Sequence, residues 1–251
     1  MTDKRALAYV NLFGILGSIP KLCELDKEAR GLIAGEDISI CFAVKDGPVA
    51  TLIFKSGKAT MKEGAVSPVI KLPFRSAEKF NGMIDGTVTP IPSRGFLHIG
   101  FLLKKFTRLT DILTKYLRPT EEALASPEFK KISTTLTFEV ICGAVCCLGN
   151  HDPVSRVSAS YIVDGDALLS INDGPKKVIR AKDHTLTKME YSGGEVMSCM
   201  EFSSMDTARD LFDGKINAVA AVGFGDVRVS GMISQLDNIN RILDRVSVYL
   251  A

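Results

Sequence analysis

The apolar positions of this chain change period along its length, and the changes mark its elements. Ile38 to Val44 is rich in β-branched and aromatic residues and runs into Asp46-Gly47, a turn signal. Val49 to Phe54 predicts a second strand, Ser56-Gly57 a turn, and Lys58 to Lys62 and Ile70 to Phe74 two further strands. Ser76 then suits a helix N-cap, with Glu78 in the first turn and Phe80, Met83 and Ile84 on the apolar face. Asp85-Gly86 ends that helix. Phe96 to Leu103 predicts a last strand, and apolar residues at 106, 109, 112, 113, 116 and 117 follow the 3.6-residue period of a helix.

The same series returns further on. Ala167 to Ile171, Lys177 to Ala181, Thr185 to Tyr191 and Glu195 to Phe202 predict strands, and Ser204 caps a helix with Ala208, Leu211 and Phe212 inward. Ile216 to Ala221 and Val227 to Gly231 predict two more strands before a helix lined by Leu236, Ile239, Ile242, Leu243, Val246 and Leu250. Four anchors tie the series together. Val44–Pro48 matches Ile171–Pro175, and Phe74-Arg75-Ser76 with Asp85-Gly86 matches Phe202-Ser203-Ser204 with Asp213-Gly214. Gly95-Phe96 matches Gly223-Phe224, and Leu109, Ile112 and Leu113 match Ile239, Ile242 and Leu243. Their common order predicts one α+β unit used twice, over residues 1–119 and 120–251, each an antiparallel sheet with helices packed on one face. Pro119 and Thr120 mark the boundary, as a helix stop and a cap.

Composition narrows the function classes. A formal net charge of +2 sets up no field that would select nucleic acid. A mean hydropathy of +0.16 is slightly oily and hints at apolar surface beyond two small cores. The apolar N-terminal stretch is interrupted by Gly14, Gly17 and Pro20, so an amphipathic first helix is expected rather than a signal peptide. Val140 to Leu148 is too short a run to span a bilayer. Six cysteines without mirrored spacing read as reduced, buried thiols, which predicts a cytoplasmic protein. Cys142 and Cys146 stand at i and i+4, yet no fourth ligand accompanies them and His151, so no metal site is expected. Gly223-Phe224-Gly225 lacks a third glycine and a following helix, and reads as a turn rather than a phosphate loop. His98, His151 and His184 have no evident nucleophile or acid partner, so no catalytic residue and no cofactor are assigned.

The order of these features resembles the sterol carrier protein 2 family of sterol-binding domains. Two stretches carry the likeness: Val44–Pro48 through Phe54–Lys58, and Asp213–Ile216 through Val227–Gly231 with the final helix. The resemblance implies, for each copy, a mainly antiparallel five-stranded sheet with helices packed on one face and an apolar tunnel between the layers that takes a sterol, a fatty acyl chain or a phospholipid. It therefore implies a non-catalytic lipid-binding or lipid-transfer protein whose partner is a hydrophobic small molecule. The alternative is a pseudo-dimeric interaction module without ligand, accessory to a partner enzyme. Candidate lipid contacts are Phe80, Met83, Ile84, Phe101, Phe106, Leu109, Ile112 and Leu113 in the first copy. In the second they are Leu211, Phe212, Met232, Ile233, Leu236, Ile239, Ile242 and Leu243. Such a pocket needs apolar walls, since affinity comes from buried area at roughly 25 cal/mol per Å². The first copy departs from the pattern by a shortening placed after Gly95. Lys104-Lys105, Lys130-Lys131 and Lys176-Lys177 read as solvated faces, with transient contact to lipid headgroups as a secondary expectation. The oligomeric state stays open between a monomeric pseudo-dimer and a homodimer.

Overall fold

The structure, a computed structural model, describes residues 2–250. The chain divides into two compact units, residues 1–136 and 137–251. The division falls later than Pro119, inside a long helix that supplies residues to both units.

In the first unit, Asp3 caps α1 (Lys4–Tyr9), which continues through a π turn (Val10–Ile15) and a 3₁₀ turn (Leu16–Ser18) into α2 (Ile19–Leu25). The carboxylate of Asp26 accepts from the Ala29 N–H and starts α3 (Lys27–Ile33). The sheet has four strands, β1 (Ile38–Val44), β2 (Val49–Lys55), β3 (Lys58–Glu63) and β4 (Ile70–Phe74), in the order β3-β2-β1-β4. Both hairpins are antiparallel, whereas β4 lies parallel to β1, with Ile40 opposite Ile70. The sheet is thus mixed, because the segment 64–69 crosses the sheet before β4 begins. Two buried hydroxyls fasten this crossing. Thr51 donates to Gly64 O and accepts from the Val66 N–H, and Ser39 donates to Ser67 O and accepts from the Val69 N–H. Ser76 caps α4 (Ala77–Ile84) as its sequence predicts.

Phe96 to Leu103 is not a strand. Residues 96–98 form a 3₁₀ turn, Phe101–Phe106 a π turn, and α5 (Thr107–Leu117) continues from it. The place of a fifth strand is held by one bridge, with the Lys71 N–H donating to Arg94 O and the Ser93 N–H to Lys71 O. The next residue of β4 on that edge is Pro73, which has no N–H. The exposed edge therefore offers no free donor to another strand, a usual protection for a sheet edge.

α6 (Glu121–Leu124) and α7 (Pro127–His151) follow. In the second unit Asp152 precedes α8 (Ser155–Ser160), and β5 (Gly165–Ile171), β6 (Lys176–Lys182), β7 (Thr185–Glu190) and β8 (Ser198–Phe202) repeat the first sheet. The order β7-β6-β5-β8 and the parallel pairing of β5 with β8 are the same, with Ala167 opposite Ser198. Here a fifth strand is present. After α9 (Met205–Phe212) and α10 (Ala218–Phe224), β9 (Val227–Gly231) pairs antiparallel with β8, and α11 (Ile233–Leu250) closes the unit. The expected strand over Ile216–Ala221 is replaced by α10. Its alanines favour a helix, and Gly225 at φ +80° stops it.

The two sheets correct the third anchor. Gly95 and Gly231 both have φ above +80° and both press on the strand beside them. A Cβ would lie 2.9 Å from Ile70 Cα at Gly95 and 2.8 Å from Ser198 Cα at Gly231. Ile70 and Ser198 hold the same place in their sheets, so Gly95 corresponds to Gly231 and not to Gly223. The shortening of the first copy thus lies before Gly95. Residues 87–94 stand where residues 215–230 build α10 and β9.

Two helical stretches, Lys4–Leu25 and Pro127–His151, are long and apolar enough to cross a membrane. Their apolar windows are 61% and 83% buried inside the protein, as in core helices.

Candidate functional site

The expected lipid contacts fare differently in the two units. In the first, Phe80, Phe101, Phe106, Leu109, Ile112 and Leu113 are buried, and Met83 and Ile84 pack half-buried against the same core. Aromatic rings fill the layer between sheet and helices. The rings of Phe42 and Phe80 lie 6.3 Å apart, Phe74 and Phe80 5.1 Å, Phe42 and Phe106 5.9 Å, and Phe54 and Phe101 5.5 Å. Edge-on and tilted pairs at these spacings add to the stabilisation from burial.

In the second unit only Leu236, Ile239 and Ile242 of the eight are buried. Leu211, Phe212, Met232 and Leu243 are half-buried, and Ile233 is 58% exposed. Around the same late elements Val222, Phe224 and Val229 are also exposed, Phe224 at 84%. β9 shows why: only Val227 of its five residues is buried. The pairing registers and helix caps identify the side chains that stand where the first unit has its rings. Leu169 replaces Phe42, Ala181 replaces Phe54 and Ala208 replaces Phe80, while Phe202 keeps the place of Phe74. Three of these four rings are therefore missing from the second unit.

Three polar arrangements were not legible as sites. The first joins the opening helix to the helix after the sheet. Asn11 donates to Asn81 at 3.0 Å in one unit, and Arg209 donates to Thr137 at 3.2 Å in the other. The second joins the opening helix to the closing one. Tyr116 donates to Asp26 at 2.9 Å, and Tyr249 donates to Asp152 at 2.7 Å. From Asn11 to Thr137 and from Asp26 to Asp152 the offset is 126, a constancy that the sequence carries but that no short motif announces. Between Gly95/Gly231 and Tyr116/Tyr249 the offset drops from 136 to 133. The first copy therefore has extra residues there, which its 3₁₀ and π turns absorb, and the fourth anchor shifts with them: Leu109 corresponds to Ile242 and Leu113 to Val246.

The third arrangement belongs to the second unit alone. Glu139 on α7 is buried against Lys177 of β6, which also pairs with Glu190, and Lys188 lies 3.2 Å from Glu139. The equivalent first-unit residues are Phe13, Ala50 and Met61, which pack with the core. Burial alone pulls the Lys177 ammonium down, but the carboxylates of Glu139 and Glu190 outweigh it and hold it above its ordinary value. That contribution is full at neutral pH and is lost in alkali, as pH rises through the raised value.

Asp152 carries a testable pH dependence. Burial acts to raise its carboxyl. Hydrogen bonds from Tyr249, from the Ser155 N–H and hydroxyl, and from Arg245 together hold it below the usual carboxylate range. A depressed carboxyl stabilises the fold above its unfolded value and loses that contribution as pH falls through its folded value. The second unit is therefore expected to lose urea stability below about pH 4. Asp152→Asn should lower stability at pH 7 and flatten that acid limb; an unchanged limb would remove Asp152 as its cause.

The remaining candidates do not converge. His98 is in the 3₁₀ turn, His151 ends α7, and His184 sits in the β6–β7 turn at φ +60°. All six cysteines are free thiols, and burial pushes Cys142 and Cys147 up to about 12. Among the described residues no group of three metal-binding side chains occurs.

No protein-family model matches the chain, and no curated protein does either. Several solved structures do. The sterol carrier protein domain 2 of Helicoverpa armigera matches at 15% identity and a TM-score of 0.35, over 45% of this chain and 87% of its own. The corresponding domain of a ubiquinone synthesis protein matches at 12% and 0.34, over 43% and 93%. The apo sterol carrier protein 2 of Yarrowia lipolytica matches at 18% and 0.32, over 42% and 88%. The chain is thus an α+β protein similar in part to sterol carrier protein 2 domains, each of which covers somewhat less than half of it.

Proposed function

We propose that this chain is a non-catalytic lipid-binding or lipid-transfer protein, that it arose by tandem duplication, and that its second unit holds the ligand. The carrying observation is the contrast between copies. In the first unit the candidate contacts Phe80, Phe101 and Phe106 are buried against the sheet residues Phe42 and Phe54. In the second unit Leu211, Phe212, Met232, Ile233 and Leu243 keep apolar surface accessible. An acyl chain that covers this surface gains the free energy of the apolar area removed from water. The filled core of the first unit supports the reading of that copy as a structural or interaction module. Six thiols without a disulfide support a reducing, cytoplasmic setting.

The chain has no tryptophan, so Phe212→Trp creates a single reporter at the edge-to-face contact with Phe202. Titration with oleate is expected to shift its emission to the blue and to saturate. Native mass spectrometry should show one bound acyl ligand per chain. A flat titration together with lipid-free mass spectra would sink the proposal.

A further inference from the structure

The first unit has an apolar surface that neither its core nor the proposed ligand site uses. A cleft of about 630 Å³ opens between the segment 67–69 and the segment 94–98, lined by Ser67, Pro68, Val69, Arg94, Gly95, Phe96, Leu97 and His98. Phe96 is 59% exposed and Leu97 98% exposed, in a turn that starts at the left-handed Gly95. Ile91 before it and Leu103 after it are exposed as well. Exposed large apolar side chains side by side, as Phe96 and Leu97 are at the mouth of this cleft, mark an interaction surface.

Charge says which surface it meets. No acidic residue lines the cleft, whereas Arg94 and His98 do. Residues 86–110 contain no Asp or Glu, yet hold Arg94, Lys104, Lys105, Arg108 and His98. Lys105 and Arg108 are engaged by Glu36 and Glu28, which leaves Arg94 in the cleft wall and Lys104 in the π turn that follows as exposed cations of this stretch. An apolar wedge rimmed by cations matches an anionic lipid interface, where rings and leucines enter the headgroup boundary and basic side chains meet phosphate.

We propose that the Phe96-Leu97 turn is a membrane-docking wedge for anionic phospholipid bilayers, with Arg94 and Lys104 as its headgroup contacts. The two copies then divide the work, since the trimmed first unit docks and the second unit carries. The docking proposal does not depend on the second unit having a ligand.

The test is flotation of the full chain with two kinds of vesicle. One is phosphatidylcholine alone and the other an equimolar mixture with phosphatidylglycerol. The wild type is expected to float with the anionic vesicles, weakly with the neutral ones, and less as salt rises. The double variant Phe96→Ser, Leu97→Ser should lose about tenfold or more in partitioning. Arg94→Glu should lose about fivefold or more. Thermal melting checks the fold of each variant, and the exposure of both wedge residues favours retention. Phe224→Ser, at an exposed ring of the second unit, should float as the wild type does. Three results would overturn the proposal: a wild type that stays unbound with anionic vesicles, one that floats equally with neutral vesicles, or a wedge variant that floats unchanged. If instead sedimentation shows a wild-type dimer that the wedge variant abolishes, and no flotation, the surface belongs to a second copy of this chain.

Discussion

Glu139→Ala is expected to destabilise the second unit by about 3–5 kcal/mol, the usual cost of removing one partner from a buried ion pair. The size follows from burial. The Glu139 and Lys177 side chains are 5% and 4% exposed, so Lys177 would keep its charge away from water with only the largely solvent-exposed Glu190 opposite it. The first unit suggests the complementary experiment. Its equivalents of Glu139, Lys177 and Lys188 are Phe13, Ala50 and Met61, an apolar set in the same layer. The triple replacement Glu139→Phe, Lys177→Ala, Lys188→Met is expected to be neutral or stabilising, since a packed apolar set avoids the desolvation of the charges. Urea unfolding followed by hydrogen exchange resolved to peptides would assign the change to the second unit. A single variant within about 1 kcal/mol of wild type, the range of exposed pairs, would show that water reaches the network.

The second large effect is expected at Phe80. This ring is fully buried and lies edge-on to Phe42 and Phe74. Phe80→Ala should cost the first unit about 3–5 kcal/mol, from lost transfer free energy and from the cavity left behind. The reverse exchange in the second unit, Ala208→Phe, adds a ring to a buried position and should cost about 1–3 kcal/mol through overpacking. The pair also tests the division of labour. Phe80→Ala should let the first unit take up a small apolar ligand that the wild-type copy excludes, whereas Ala208→Phe should weaken oleate binding by the second. If Ala208→Phe folds and binds oleate as the wild type does, the missing rings have no bearing on the ligand.

Much of the fold was legible because its signals are local. Ser76 and Ser204 cap their helices with their own hydroxyls. Asp46 and Asp173 take up left-handed turns at φ +56° and +53°, which asparagine-like side chains tolerate. The 3.6-residue periods of the closing helices appear as the buried series Leu109, Ile112, Leu113, Tyr116 and Leu236, Ile239, Ile242, Val246. Errors came where a short apolar run permits either helix or strand. Phe96 to Leu103 satisfied a strand pattern, but it follows Gly95, the counterpart of Gly231, and so stands where the second copy already enters its closing helix. The Gly95-Phe96 and Gly223-Phe224 match was a two-residue coincidence. Only the close approach of Gly95 and Gly231 to their neighbouring strands shows the true correspondence.

What this sequence determined alone is therefore the set of α+β elements, their caps and turns, and their recurrence in one order, because each rests on residues a few positions apart. Tertiary structure decided which strands pair, that both sheets are mixed, and that one copy is filled with rings while the other exposes its late apolar elements. It also decided that a buried ion network stands where the first copy has Phe13, Ala50 and Met61. These outcomes depend on which side chains from distant segments compete for the same space, and residues such as Phe42 and Phe80, or Glu139 and Lys177, become neighbours only when the sheet and helices close over them.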